Sequence, residues 1–193
     1  DSVKNLSVLS NEFAAHLKGK FNLEQLPNSF TSFLSKYYPS YIKAPAKKPA
    51  NQNFSFDIKT YEFEDFAHLL DSSIGGLNYT FVSGTLNTNE NHLFLDASTP
   101  FFAYNNIRIS DIKLNAVGNY ENIVLNGSTG YLDSDSSVTV DYSKFNITAS
   151  NDVSNLMLNA RGSSTLENVQ LNAVVRTYED GVNIKLLPTN LVL

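Results

Sequence analysis

The chain has 193 residues, a formal net charge of -5 and 42% hydrophobic residues, which suits one domain with a hydrophobic core. It contains no cysteine, so disulfides, thiolate metal sites and a cysteine nucleophile are excluded. Residues 60–193 carry six Lys/Arg against fifteen Asp/Glu, a balance that repels phosphate backbones, and we therefore expect no nucleic-acid partner.

Residues 1–50 are predicted to form a strand pair, an amphipathic helix and a loop. Residues 2–9 and 12–21 alternate apolar and polar side chains, as strands with one buried face do. A helix is predicted over 27–38, with Pro27 in its first turn and Pro39 after its end. Its apolar stripe follows the helical spacing and consists of Phe30, Phe33, Leu34, Tyr37 and Tyr38. Residues 43–50, rich in Lys and Pro, read as an exposed loop.

Residues 51–193 are predicted to form a strand, a short helix and a β-meander. The strand covers 53–61, and the helix covers 62–71 with an acidic first turn and the Gly75-Gly76 pair as its stop. From Leu77 onward, turn signals rich in Asn and Asp recur every 8–12 residues, as in a strand meander. Because the chain begins with Asp1 and its only methionine is the internal Met157, we interpret residues 1–193 as a single segment of a larger protein.

Alternating residues in the meander predict a sheet with one apolar face. The alternation therefore predicts a mainly β fold with two short helices and an antiparallel-rich sheet that has one apolar face. That this sheet is elongated and curled (β-taco-like), with the apolar face on its inside, is what the family resemblance described below implies. A β-sandwich would use the same alternation and is the alternative. The residues predicted to line an apolar groove are Leu93, Leu95, Leu114, Val138, Val140, Phe145, Ile147, Leu156, Leu158, Leu171, Val175, Ile184 and Leu186. The aromatic helix would lie at one end of this groove or over it.

A weak internal repeat runs through the same region. LNAVG at 114–118 precedes ENIVLNG at 121–127, and LNARG at 158–162 precedes ENVQLNA at 167–173. A repeated strand–turn–strand unit buries its apolar face only by stacking on its neighbours. We therefore expect Leu114 and Leu158 on one face, and Gly118 and Gly162 at strand ends.

No motif predicts catalysis or metal binding. The three histidines lie in different elements without ligand spacing, and Glu62, Glu64 and Asp65 are explained by the start of a helix. No Gly-x-Ser-x-Gly elbow or phosphate-binding glycine loop occurs. We therefore expect a protein that is not an enzyme and needs neither cofactor nor metal.

Two stretches carry a resemblance to a known family. They are FNLEQLPNSFTSFLSKYYPSYI at 21–42 and FDIKTYEFEDFAHLLDSSIGGLNYTFVSGTLNTNENHLFLDASTPFFAYNNIRISDIKLNA at 56–116. In element order and residue character they resemble the periplasmic region of TamB-like translocation and assembly module proteins, also described as DUF490 or AsmA-like. The resemblance implies a long protein anchored in the inner membrane of a Gram-negative bacterium, with a U-shaped apolar sheet in the periplasm.

The family resemblance and the apolar face together lead to two functional hypotheses. The first is phospholipid handling in outer-membrane biogenesis, with acyl chains in the apolar trough. The second is a non-enzymatic scaffold or chaperone for outer-membrane proteins, which would pair an exposed sheet edge with an outer-membrane assembly protein. A carbohydrate-binding module is a third and weaker class, because such sites usually stack sugars on tryptophan, which this chain lacks.

Overall fold

The computed structural model describes residues 2–49, 52–134, 139–162, 167–188 and 190–192, which form one open antiparallel sheet and two helices. The helices are α1 Leu26–Tyr37, preceded by a 3₁₀ turn at Leu23–Gln25, and α2 Glu64–Leu70. The strands are β1 Lys4–Leu9, β2 Phe13–Lys20, β3 Asn53–Thr60, β4 Ile74–Gly76, β5 Phe81–Asn87, β6 His92–Tyr104, β7 Ile107–Gly118, β8 Ile123–Thr129, β9 Leu132–Asp133, β10 Tyr142–Ser150, β11 Val153–Arg161, β12 Asn168–Tyr178, β13 Gly181–Leu186 and β14 Asn190–Val192.

The sheet is long and its strands follow one another almost in chain order. The order is β1-β2-β3-β5-β6-β7-β8-β10-β11-β12-β13, while β4, β9 and β14 pair with β6, β7 and β12. The sheet does not close, so β1 and β13 are its two edges. The mainly β, antiparallel prediction is therefore confirmed. A sandwich would require a second sheet, and the described residues form only one.

Asparagine side chains shape the hairpins at one end of the strands. Asn87 Oδ1 accepts from the backbone N–H groups of Asn89 and Glu90, at 3.0 Å each. Asn119 Oδ1 likewise accepts from the two residues before β8, at 2.7 and 3.0 Å. These side-chain bonds satisfy backbone N–H groups of the turn that have no partner strand. This is why asparagine is frequent at the turns of the sequence. At the β10–β11 turn, Asn151 and Asp152 both adopt positive φ angles.

The helix α1 lies across these hairpins. It follows β2 and extends to the β10–β11 turn, where the N–H of Asp152 donates to the carbonyl of Tyr37 at 2.8 Å. The buried core lies beneath it and includes Phe33, Phe54 and Leu86. The helix predicted over 27–38 is confirmed, since α1 covers Leu26–Tyr37. It packs at one end of the sheet.

The second helix is shorter and ends earlier than predicted. Glu64 and Asp65 occupy its first turn, and the helix ends at Leu70 with Asp71 as its cap. The expectation that Gly75-Gly76 stops this helix is wrong, because both glycines belong to β4, opposite Ala103 and Phe102. Gly76 has φ +79°, and a Cβ there would lie 2.6 Å from the carbonyl oxygen of Phe101. The two glycines therefore allow β4 to lie close to β6.

The two copies of the repeat share a face of the sheet but run in opposite directions. Leu114 and Leu158 lie in one continuous row, since Leu114 pairs with Gly127, Gly127 with Phe145, and Phe145 with Leu158. Three antiparallel pairings separate β7 from β11, so these strands are antiparallel to each other. Gly118 ends β7, as expected. Gly162 directly follows Arg161, the last residue of β11, which is also as expected.

Candidate functional site

The apolar side chains of the meander form continuous rows on one side of the sheet. We call this side the apolar face and the other side the polar face. Strand pairing places most of the predicted groove residues in three neighbouring rows. The row nearest α1 contains Leu93, Val175 and Ile184; the middle row contains Leu95, Ile147, Leu156 and Leu186; and the third contains Leu114, Phe145, Leu158 and Leu171.

Most of the apolar face is only half-covered. Leu93 is buried beneath α1, but Leu95, Leu114, Ile147 and Leu158 are all of intermediate exposure. Toward the β13 edge the exposure rises, and the side chains there are Ile184 at 64% and Leu186 at 63%. Side chains on neighbouring strands of the same sheet provide this partial cover through cross-strand contacts. Away from α1, the rows stay partly open to solvent.

Aromatic side chains fasten α1 to the end of the sheet. Phe33 and Tyr37 are completely buried, and the Phe33 ring lies 4.6 Å from that of Tyr120. Phe30 packs edge-on against Phe54 and Phe56, with ring centroids 6.2 and 5.9 Å apart. Edge-to-face pairs at these distances add to the stabilisation from burial. The helix therefore closes one end of the apolar face.

Polar contacts fix the C-terminal end of α1. The Tyr37 hydroxyl donates to the Asn119 carbonyl at 2.8 Å, and the Tyr38 hydroxyl lies 3.0 Å from Ser154 Oγ. Burial, followed by the nearby Tyr120, raises the pKa of Tyr37, so that its hydroxyl stays protonated as a donor. The Asp152 carboxylate accepts from the backbone N–H and the hydroxyl of Ser40. These bonds hold α1 in place over the hairpins.

Two predicted site residues differ from expectation, and a third is not described by the structure. Leu34 is 39% exposed, because the buried stripe of α1 runs through Ser29, Phe33 and Tyr37. Its assignment to the packed stripe is therefore wrong. Val140 forms an isolated bridge with Leu132 and does not join the rows of the apolar face. Val138 lies outside the described residues.

Other residues of the apolar face were missed in the sequence. Leu125 lies between Ala116 and Ile147 in the middle row, although it was singled out only as part of the repeat. The face also continues into the N-terminal strands, where Phe56 and Ile58 occupy the middle and third rows. Beside α1 these strands line a cavity of about 230 Å³. Alternation in 12–21 and 53–61 was the available signal for this continuation.

Two glycines in the apolar face lie beneath aromatic rings. A Cβ on Gly127 would approach the ring of Phe145 to 2.2 Å, and one on Gly84 would approach the ring of Phe56 to 2.6 Å. In each case the ring comes from the paired strand and covers the bare backbone. Glycine thus lets the large side chains lie flat along the face.

The described residues offer little that suggests catalysis. They contain no group of three or more His, Asp or Glu side chains placed to hold a metal ion. None of their helices is long and apolar enough to cross a membrane. Comparison with known proteins finds no matching family model, curated protein or solved structure.

Proposed function

We propose that this chain is a segment of a TamB-like periplasmic protein whose apolar face accommodates the acyl chains of phospholipids during outer-membrane biogenesis. The full-length protein would be anchored in the inner membrane of a Gram-negative bacterium. Its role would be non-enzymatic and would require no cofactor. The resemblance of residues 21–42 and 56–116 to that family supports this assignment.

The single observation that carries the proposal is the uncovered extent of the apolar face. Three apolar rows cross the strands from β6 to β12, and along these strands α1 packs on the row nearest the hairpins. Contiguous exposed apolar surface of this kind marks an interaction site in proteins. Each methylene removed from water contributes about 0.8 kcal/mol, so an acyl chain lying along these rows would bind usefully even when partly sheltered.

The length of the strands suits such a ligand. The strand β7 has 12 residues, which corresponds to about 40 Å at roughly 3.3 Å per residue. This exceeds the length of one extended acyl chain, even after the end beneath α1 is subtracted. With that end closed, lipid would reach the face from the opposite end or along the β13 edge, while head groups stay in water.

The alternative is a scaffold for outer-membrane protein assembly that acts through an edge of the sheet. All six residues of β13 are exposed, and among the described strands only β12 pairs with it. Such an edge presents unpaired N–H and C=O groups to an incoming strand. An outer-membrane assembly protein would be the partner in that case.

Photo-crosslinking in cells tests the lipid proposal, and the alternation of the strands supplies matched controls. A photoreactive residue at position 147 or 158 lies on the apolar face, whereas one at position 146 or 159 lies on the polar face of the same strand. We expect phospholipid adducts at 147 and 158 and none at 146 and 159. Adducts to protein alone at all apolar positions would favour the scaffold.

A further inference from the structure

Two asparagines of the repeated Leu-Asn-Ala/Gly motif, Asn115 and Asn126, lie beside Asn146 on the polar face. Asn115, Asn126 and Asn146 occupy successive positions in one row across β7, β8 and β10. Asn146 Nδ2 donates to Asn126 Oδ1 at 2.8 Å, and Asn115 Nδ2 donates to Asp96 Oδ2 at 3.2 Å. Each amide keeps further donor and acceptor capacity toward solvent. The row is therefore a regular array of hydrogen-bonding groups.

A groove of about 670 Å³ runs along this array. Its lining includes the asparagine row and a parallel row one pleat away, to which Lys113, Ser128 and Lys144 belong. The two lysines are separated by one intervening strand, so their Cα atoms lie roughly 9.6 Å apart at the usual strand spacing. Neither forms an ion pair with a described residue. The apolar-face function does not use this groove.

The polar face is basic, although the protein as a whole is acidic. Four neighbouring rows make up this part of the polar face; the first contains Lys59 and the last contains Lys20. In these rows the described strands carry only two acidic side chains, Asp57 and Asp96. The basic side chains in these rows are Lys18, Lys20, Lys59, Lys113, Lys144, Arg176 and Lys185. The acidic residues lie mostly in turns and loops, such as Glu12, Glu90 and Glu121. The face therefore presents a positive field to solvent.

We propose that this groove binds an anionic glycan, with carboxylate groups of the glycan paired to Lys113 and Lys144 and its hydroxyl groups hydrogen-bonded to the row of Asn115, Asn126 and Asn146. Amides both donate to and accept from hydroxyls, which suits a polyhydroxylated ligand. Lysines on alternate strands suit a polymer that carries charge at regular intervals. Because the groove lies on the polar face, the proposal is independent of lipid binding.

Two other anionic partners fit the groove less well. The one aromatic residue in the lining, Phe145, has its ring on the apolar face, so the groove offers no ring for the base stacking that usually holds single-stranded nucleic acid, nor for the stacking on tryptophan that is usual in carbohydrate sites. A glycan in this groove would therefore be held by ion pairs and hydrogen bonds instead of ring stacking. An anionic membrane surface would use the lysines but not the ordered row of amides. The amide array is thus the observation that selects a glycan.

Calorimetric titration with a galacturonate hexamer, and with maltohexaose as its neutral counterpart, tests the proposal. We expect the anionic hexamer to bind at one site and the neutral one to bind more weakly. The double variant Lys113→Gln/Lys144→Gln should weaken binding of the anionic hexamer about tenfold, the sum of two exposed ion pairs. Asn126→Ala should weaken it about threefold by removing one hydrogen-bonding position.

The matched control is Lys18→Gln/Lys185→Gln, which removes the same charge from the same face outside the groove. We expect the binding constant of this control to equal that of the wild type. Equal weakening by both double variants would overturn the proposal, because it would show diffuse attraction to the face. Absence of hexamer binding would also overturn it. So would a DNA oligonucleotide or anionic vesicles that bind more tightly than the hexamer, with an affinity that Asn126→Ala does not change.

Discussion

A charge placed at Leu158 distinguishes an open apolar face from a closed core. Leu158 is half-buried between Phe145 and Leu171 on the neighbouring strands. Replacing it with Asp removes about half of a buried leucine's transfer free energy, about 1 kcal/mol. It also removes two cross-strand pairs, which together contribute about 1 kcal/mol. Because water reaches this position, the carboxylate escapes the roughly 3–5 kcal/mol penalty of an unpaired buried charge.

The expected total loss for Leu158→Asp is therefore about 2 kcal/mol. For a chain of this size it corresponds to a fall of about 4–8 °C in melting temperature, measured by circular dichroism. Ile147→Asp, in the neighbouring row, should behave alike. The matched control Asn159→Asp lies on the polar face and should change stability by less than about 0.5 kcal/mol. Complete unfolding by both apolar-face variants would refute the open face and indicate a closed core.

Further predictions concern the packing of α1 and of the glycines beneath aromatic rings. Phe33→Ala should destabilise the protein by about 3–5 kcal/mol in urea unfolding, whereas Leu34→Ala next to it should cost far less, because only Phe33 is buried. Equal losses would show that α1 packs on a different face. The pKa of Tyr37 is raised in the folded state, so the folded protein keeps the hydroxyl proton to a higher pH than the unfolded chain does. The free energy of unfolding should therefore fall as the pH rises above 10.0, the ordinary pKa of tyrosine. Tyr37→Phe should reduce that alkaline loss, and an unchanged pH profile would exclude Tyr37 as its source. Gly127→Ala should lower the melting temperature by displacing the Phe145 ring, while Gly181→Ala, where a Cβ meets no neighbour, should not.

Local sequence patterns were sufficient to predict the elements of the fold. Period-two alternation located the strands of the meander, and asparagine-rich turns located the hairpins because their side chains cap the turn backbone. Helical spacing located α1, but it did not decide which side of the helix meets the sheet. Leu34 and Phe33 are sequence neighbours separated by about 100° around the axis, and only the docking of α1 determines which is buried.

Features that depend on strand register could not be read from the sequence. Val140 continues an alternating pattern, yet it pairs with Leu132 away from the apolar rows. Asn115 and Asn126 were visible as part of the repeat, but their alignment in one row with Asn146 follows from the registers of two strand pairs, β7 with β8 and β8 with β10. The segregation of lysines on the polar face was hidden in the same way, since the net charge of residues 60–193 is acidic.

Native mass spectrometry of the chain purified from cells without detergent tests the central claim most directly. If the apolar face holds acyl chains, the folded wild-type protein should carry additional mass that fragments to phospholipid, and the folded Leu158→Asp variant should carry much less. The Asn159→Asp control should retain the lipid. A wild-type protein that is folded and free of bound lipid, or equal lipid on all three proteins, would contradict the account.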